Sequence, residues 1–421
     1  MRTPECGGSI ASLATGIALV FMALVPGTVV AYEPTPGGAT HASPATTWSA
    51  QEPAGKSPPA HKTWSLRLGI DERYDDNILQ FSRRDLDRLR NPHPSDAAAN
   101  RFSISTSDDF ITFPRVAPGF QADWWRGRPT SFDLDVSAYQ YLRNPIKNYQ
   151  SYRLSIAQAV RGGKALDTSV AVTYGQRPSF YVRNLISDRH LEELGFIPNP
   201  IPRLEATYRR DYLQLEVQQE IVKDILSFRA QSGREHRNYN RNFDERDSQM
   251  PYREAGLSWT PYRDGRLRLR AGYRREDLHA GGDLADTPSF LEDDVSSRRD
   301  IWEADFRLRW GAKGRKKSVI FDYEGEHRDY STTNTFDAFH FGRQDTRLYV
   351  TLSFRADLEK GWFVVASAER DANRSNFPAA VSSAVQPDDI TDYKENLAQF
   401  GFGYDFGDVL AAPRRPRPPT E

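Results

Sequence analysis

Residues 64–79 read WSLRLGIDERYDDNIL, and the first seven alternate without a break: Trp64, Leu66, Leu68 and Ile70 on one face, Ser65, Arg67 and Gly69 on the other. Successive side chains of an extended chain point to opposite faces, so period two marks a strand. One such strand leaves open which solvent lies on each side. In a soluble sheet the apolar face packs on a core and the polar face meets water.

Composition makes the soluble reading uncomfortable. Mean hydropathy is −0.67, yet 12% of the 421 residues are aromatic and 27% are charged. A soluble chain of this length shows helical stripes or buried β-runs, and neither occurs here at length. The formal charge of −1, from 56 Lys+Arg against 57 Asp+Glu interspersed along the chain, gives no basic footprint for nucleic acid and points to paired charges.

Residues 1–31 read as a secretory signal: Arg2, an apolar core through IASLATGIALVFMALV, then Val29 and Ala31 before the cut. The run is short for a membrane anchor and is broken by Gly16, Pro26 and Gly27. The only cysteine, Cys6, lies inside it, so the exported chain is expected to carry no disulfide. Residues 32–62 form a Pro/Ala/Thr-rich leader too poor in apolar side chains to fold, and 411–421 (AAPRRPRPPTE) a second unstructured piece. The folded part is expected over 63–410.

Across that part the opening alternation recurs, as in Phe132–Ala138, Leu213–Val217, Trp302–Trp310, Leu348–Ala356 and Ala398–Phe406. The segments number about fourteen, each long enough to cross a bilayer as a tilted strand of roughly 9–11 residues. Short turns near 126, 161, 222, 262, 312 and 357 alternate with polar loops at 80–106, 178–202, 234–251, 279–298, 331–344 and 374–391, and a shorter one at 143–150. Such alternation predicts a transmembrane antiparallel up-and-down β-barrel of the Gram-negative outer membrane, both termini periplasmic. The apolar parity slips between Tyr208 and Leu213, where a bulge or an extra turn that changes the strand count by two is expected. Trp64, Trp124, Trp125, Trp259, Trp310 and Trp362 all flank short turns or the first strand start, and only Trp302 falls at a long-loop end. Indole rings prefer the headgroup level, so the six mark one membrane interface. Lipid then faces Trp64, Leu66, Leu68 and Ile70, and a polar lumen faces Ser65, Arg67 and Gly69.

The first strand, GIDERYDDNIL, followed by DFITFPRVAPGFQADWW, a tight turn and SFDLDVSAYQYL, resembles a broad group of proteobacterial outer-membrane barrels with a Y-D-[DS]-N start and an S/A-P-G in the second strand. That group includes the β-barrel porins found with exopolysaccharide systems, and the barrel part of surface-lipoprotein assembly modifiers is similar. The likeness, concentrated in residues 66–142, implies the barrel fold. The helical repeat domain that usually precedes the barrel in lipoprotein assembly modifiers and some polysaccharide exporters is not in this chain. Phe406 stands as the aromatic of a barrel-insertion signal, which implies the insertion machinery as a partner beside the bilayer and its lipopolysaccharide.

The inward positions carry many charges: Arg266, Arg268, Arg270 and Arg274; then Glu303, Asp305, Arg307 and Arg309; then Asp322, Glu324 and Glu326. An arginine row near a carboxylate row can set a transverse field that selects polar solutes; equally, the groups can pair along the wall and close the lumen. Tyr139, Tyr141 and Tyr349 suit sliding sugar rings or an interface girdle, the girdle being the reading taken for Tyr139 and Tyr141. The function expected is a porin-like channel or export pore for polar solutes, exopolysaccharide among them, the alternative being an occluded structural or assembly barrel acting through loops and tails. An enzyme is not expected: His190, His236, His279, His327 and His340 fall in or near loops with no nucleophile motif. Asp75, Asp76 and Asn77 read as a strand terminus with Asx-turn chemistry rather than a metal site, and no cofactor is expected.

Overall fold

The computed structural model describes residues 63–406, apart from 126–127, 162–165, 281–293, 313–314, 334, 336, 338–339 and 377–391. The expected signal, leader and Pro/Arg tail lie outside the described residues. No helix among the described residues is long and apolar enough to cross a membrane.

Fourteen strands form one closed antiparallel barrel. They are β1 (Thr63–Asp75), β2 (Asp109–Trp125), β3 (Arg128–Tyr141), β4 (Tyr149–Arg161), β5 (Thr168–Leu185), β6 (Leu204–Val222), β7 (Leu226–Tyr239), β8 (Ser248–Trp259), β9 (Leu267–Ala280), β10 (Ser297–Trp310), β11 (Lys317–Tyr330), β12 (Gln344–Asp357), β13 (Trp362–Asn376) and β14 (Tyr393–Asp405). Each pairs with its sequence neighbours, and β1 closes the ring on β14 with Leu68 opposite Tyr404. Closure leaves no unpaired edge, the condition for a sheet to stand in hydrocarbon.

The two faces divide as the alternation requires. Leu68, Ile70, Leu213, Leu215, Leu257, Leu308, Phe321, Leu352, Phe400 and Phe402 are exposed on the outside, an apolar belt that lipid covers. The buried residues inside are largely polar, Asp71, Glu235, Glu254, Arg299, Glu326, Arg347 and Asp371 among them. Trp64 begins β1, Trp124 and Trp125 end β2, Trp259 and Trp310 end β8 and β10, and Trp362 begins β13, so all six lie at the end bearing the short turns.

Two expectations fail on β5 and β6. β6 runs without interruption against β7, from Tyr208 opposite Tyr239 to Glu220 opposite Ser227. Tyr208 simply faces inward, where it is buried, while Leu213, Leu215 and Val217 face lipid. The irregularities fall instead on β5, between Arg177 and Phe180 and between Tyr181 and Arg183. Pro178 lies in the first, and a residue without an N–H interrupts the ladder. β5 also continues to Leu185, so its loop starts later than 178.

The loop between β1 and β2 carries two helices, α1 (Arg83–Arg90), whose N-cap Ser82 accepts from Asp85 N, and α2 (Pro94–Ala98), capped by His93. A third, α3 (Asp188–Leu194), lies between β5 and β6. Ile78, Leu79, Phe81 and Ile104 of the first loop form one buried cluster with Tyr181 of β5. This apolar core therefore sits at the long-loop end of the barrel.

Candidate functional site

Parity places Arg268, Arg270 and Arg274 of β9, Glu303, Asp305 and Arg307 of β10, and Asp322, Glu324 and Glu326 of β11 on the inner wall. Neighbouring strands bring most of them together as a ladder of pairs, while Asp322 forms no ion pair among the described residues. Asp305 lies 3.4 Å from Arg268 and 3.2 Å from Arg270. Arg274 lies 3.1 Å from Glu303, 3.0 Å from Glu276 and 4.0 Å from Glu324. Glu326 is 2.6 Å from Arg328 and 3.7 Å from Arg347. Arg307 is buried on the same wall. Arg266 is elsewhere: β9 begins only at Leu267, and the exposed Arg266 guanidinium lies 3.3 Å from Asp264 and 4.1 Å over the Tyr262 ring in the turn. The ladder continues where the sequence pattern could not follow it, through Arg299, Arg347 and Asp371, and on the opposite side through Arg229 with Glu254 and Arg210 with Glu235.

A second wall is aromatic. Phe113, Tyr139, Tyr149, Phe180, Tyr208 and Tyr239 come one each from β2 to β7 and touch in series, with ring centroids 5.1, 4.3, 5.3, 5.4 and 5.1 Å apart. The first three are stacked nearly parallel, at 11° and 12°. Tyr139, expected in the girdle, is thus an inner-wall residue only 9% exposed. The Arg177 guanidinium lies 4.6 Å over Tyr149 and 4.9 Å over Phe180, a cation–π arrangement. Tyr141 packs against the first-loop cluster, and Tyr349 donates to Glu369 at 2.8 Å. The row is hard to see in sequence because each strand contributes a single ring.

Between the aromatic row and the carboxylates Asp75, Glu369, Asp371 and Glu395 lies a cavity of about 70 Å³, and the first loop enters it. Gln80, with a left-handed φ of 53°, turns inward over the adjoining strands β14 and β13, its Nε2 donating to Glu395 Oε2 at 2.8 Å and Asp371 Oδ2 at 3.2 Å. Arg183 holds the loop from the other side through the Leu79 carbonyl at 3.0 Å.

The YDDN motif builds this loop's departure. Asp75 Oδ1 accepts from Asn77 N at 2.8 Å, and the Asn77 side chain accepts from Phe81 N at 2.8 Å and donates to the Phe81 carbonyl at 2.8 Å. Asp76 accepts from the backbone and side-chain amides of Asn396 on β14 at 2.7 and 2.8 Å. The Asp75–Asn77 bond is an Asx turn, whereas Asp76 ties the strand end to β14, and no grouping fit for a metal ion occurs among the described residues. Of the histidines, His340 Nδ1 lies 2.9 Å from Asp337, which also accepts from the Asp294 backbone, a brace between loops.

In the short loop between β3 and β4, Lys147 is buried over the Phe180 ring at 4.5 Å and donates to the Tyr181 carbonyl at 3.3 Å. Desolvation brings its ammonium down to about 7, partly offset by Asp75 and Glu395 nearby.

The chain matches no family model and no curated protein. Among solved structures it is similar to a bacterial polysaccharide outer membrane secretin, 9% identical over 81% of this chain and 98% of that one, with a TM-score of 0.41. It is also similar to an anion-selective porin from Comamonas acidovorans, 9% identical over 82% and 100% with a TM-score of 0.37. A third is the TodX monoaromatic hydrocarbon channel, 8% identical over 83% and 91% with a TM-score of 0.40. What the site does is read from its own geometry.

Proposed function

We propose that the protein is an outer-membrane channel for small polar or charged solutes, held closed at its long-loop end by the first loop. The observation that carries this reading is the seating of Gln80 on Asp371 and Glu395 inside the barrel. A wall meant only as scaffold can be closed by its own salt bridges. Here a separate segment is packed at the barrel mouth by Ile78, Leu79 and Phe81 against Tyr181, and its polar tip, Gln80, rests on the wall carboxylates through two hydrogen bonds that a side-chain movement can release. The ladder on β9–β11 supplies the field along the path, and water-lined charge of both signs favours polar cargo. Among such solutes, saccharides suit the cavity wall, where Tyr139, Tyr149 and Phe180 of the aromatic row stand beside carboxylates that accept from hydroxyls; an exopolysaccharide strand is the extended form of that cargo.

Planar-bilayer recording of the refolded chain tests this. Gln80→Glu sets a third carboxylate against Asp371 and Glu395, and the expected result is a higher open probability than in the wild type. If the variant and a chain lacking 82–104 both fold and stay silent, the channel is refuted. The second reading, an occluded assembly or structural barrel, then stands, favoured by the ion pairs that line the wall from β9 to β13.

A further inference from the structure

We propose that the outer surface of β7–β9, at the long-loop end, carries a binding site for the phosphate headgroup of an anionic lipid, formed by Arg234, Arg253 and Arg275.

Arg253 and Arg275 are direct cross-strand partners on β8 and β9. Their parity is that of Ala255, Leu257 and Trp259 on one strand and Ala271 and Tyr273 on the other, so both side chains point away from the lumen. Side chains so placed have Cβ atoms roughly 5 Å apart, and like charges there repel. Arg234 adds a third guanidinium from β7, where it pairs with Pro251, two residues from Arg253. Arg234 and Arg253 are exposed, and neither forms an ion pair among the described residues. Arg275 reaches a carboxylate only at 4.0 Å, in Asp277, which is nearer Arg298 at 3.4 Å. Asp300, opposite Arg275 on β10, is engaged by the Tyr273 hydroxyl. The contrast is Arg209 on β6, which holds Asp211 at 2.9 Å. The ladder inside the barrel sets its arginines against carboxylates, whereas here three arginines stand together.

Their depth says what neutralises them. Below Arg253 and Arg275 the outward columns are apolar, and Tyr273 with Trp302, ring centroids 6.0 Å apart, closes the belt as aromatic pairs do at an interface. The arginines therefore stand one step beyond the hydrocarbon, at headgroup level. Guanidinium forks match phosphate oxygens two at a time, and a lipid whose chains lie on Leu257 and Tyr273 brings its phosphate to that level.

The refolded protein in alkyl maltoside, a phosphate-free uncharged detergent, tests this by native mass spectrometry with added phosphatidic acid. The wild type is expected to retain bound phosphatidic acid, and Arg253→Gln/Arg275→Gln to bind it about tenfold more weakly or worse, from loss of charge-assisted bonds. Arg209→Gln is expected to bind as the wild type does. Relief of the repulsion predicts that the double variant refolds in maltoside at least as fully as the wild type. Should it fail to fold, Arg253→Lys keeps the charge without the fork and is expected to weaken retention. Equal retention by wild type and variants overturns the site. Displacement of the lipid by equimolar inorganic phosphate shows a free-anion site and overturns the lipid assignment, as does dimerisation through these residues in maltoside.

Discussion

Arg347 on β12 and Asp371 on β13 are joined by two parallel hydrogen bonds, Nε to Oδ1 at 2.8 Å and Nη2 to Oδ2 at 2.6 Å, both groups buried. Asp371 also accepts from the Gln80 amide, so one carboxylate serves both the wall and the first loop. Asp371→Ala leaves a buried guanidinium short of its partner, which typically costs about 3–5 kcal/mol. Arg347→Leu with Asp371→Leu is expected to cost less, since Glu326 keeps Arg328 at 2.6 Å. Urea unfolding in phospholipid vesicles, followed by tryptophan fluorescence, checks the order of the two midpoints.

Lys147 makes the seat of the first loop depend on pH. Its folded value, about 7, lies below the ordinary 10.5, so between those limits the unfolded segment binds a proton that the folded one does not. Stability therefore rises with pH across that window, with a slope approaching about 1.4 kcal/mol per unit, and is flat below it. Lys147→Met is expected to remove this slope. Hydrogen exchange of the 146–148 amides, corrected for intrinsic rates, between pH 7 and 9 would show no difference between variant and wild type if the reading is wrong.

Arg268 and Arg270 share Asp305, so replacing both by Glu places three carboxylates on one stretch of wall. In a channel opened by Gln80→Glu, the reversal potential under a salt gradient is expected to move toward cation preference. An unmoved potential would remove these residues from the conducting path.

Two tyrosines lie across glycines on the inner wall. A Cβ at Gly233 would overlap the ring of Tyr252, its direct cross-strand partner, and one at Gly175 would overlap that of Tyr212. Gly233→Val is expected to displace Tyr252, break its 2.9 Å bond to Gln214 and cost about 1–3 kcal/mol. Gly272→Ala, which meets nothing nearer than 3.5 Å, is the control, and heat-modifiability on gels ranks the two.

The barrel was legible because its solvent lies outside it. Lipid requires an apolar side chain at every second position, as from Trp64 to Ile70, and that rhythm survives in a chain of low mean hydropathy. Parity also assigned Arg268, Arg270 and Asp305 to the inner wall; their sharing of one carboxylate was not legible, since pairing across strands depends on register. Parity misled at Tyr208, an aromatic that faces inward; at Tyr139 parity pointed inward correctly, and nearness to a loop suggested the girdle instead. Gln80 gave no signal at all. Its partners lie 291 and 315 residues away, and a lone glutamine in a polar loop carries no pattern that points to them.

The first loop bonds Asp76 to Asn396, Asn77 to the Lys394 carbonyl and Gln80 to Glu395, all on the last strand. Those partners come within reach only once the C-terminal strand has met the N-terminal one. The clasp thus reports that the ring is complete: in a half-inserted chain it hangs loose and open to proteases, and in a finished barrel it shuts. Formation of these bonds therefore follows the meeting of the first and last strands, and no separate signal is needed to order the two events.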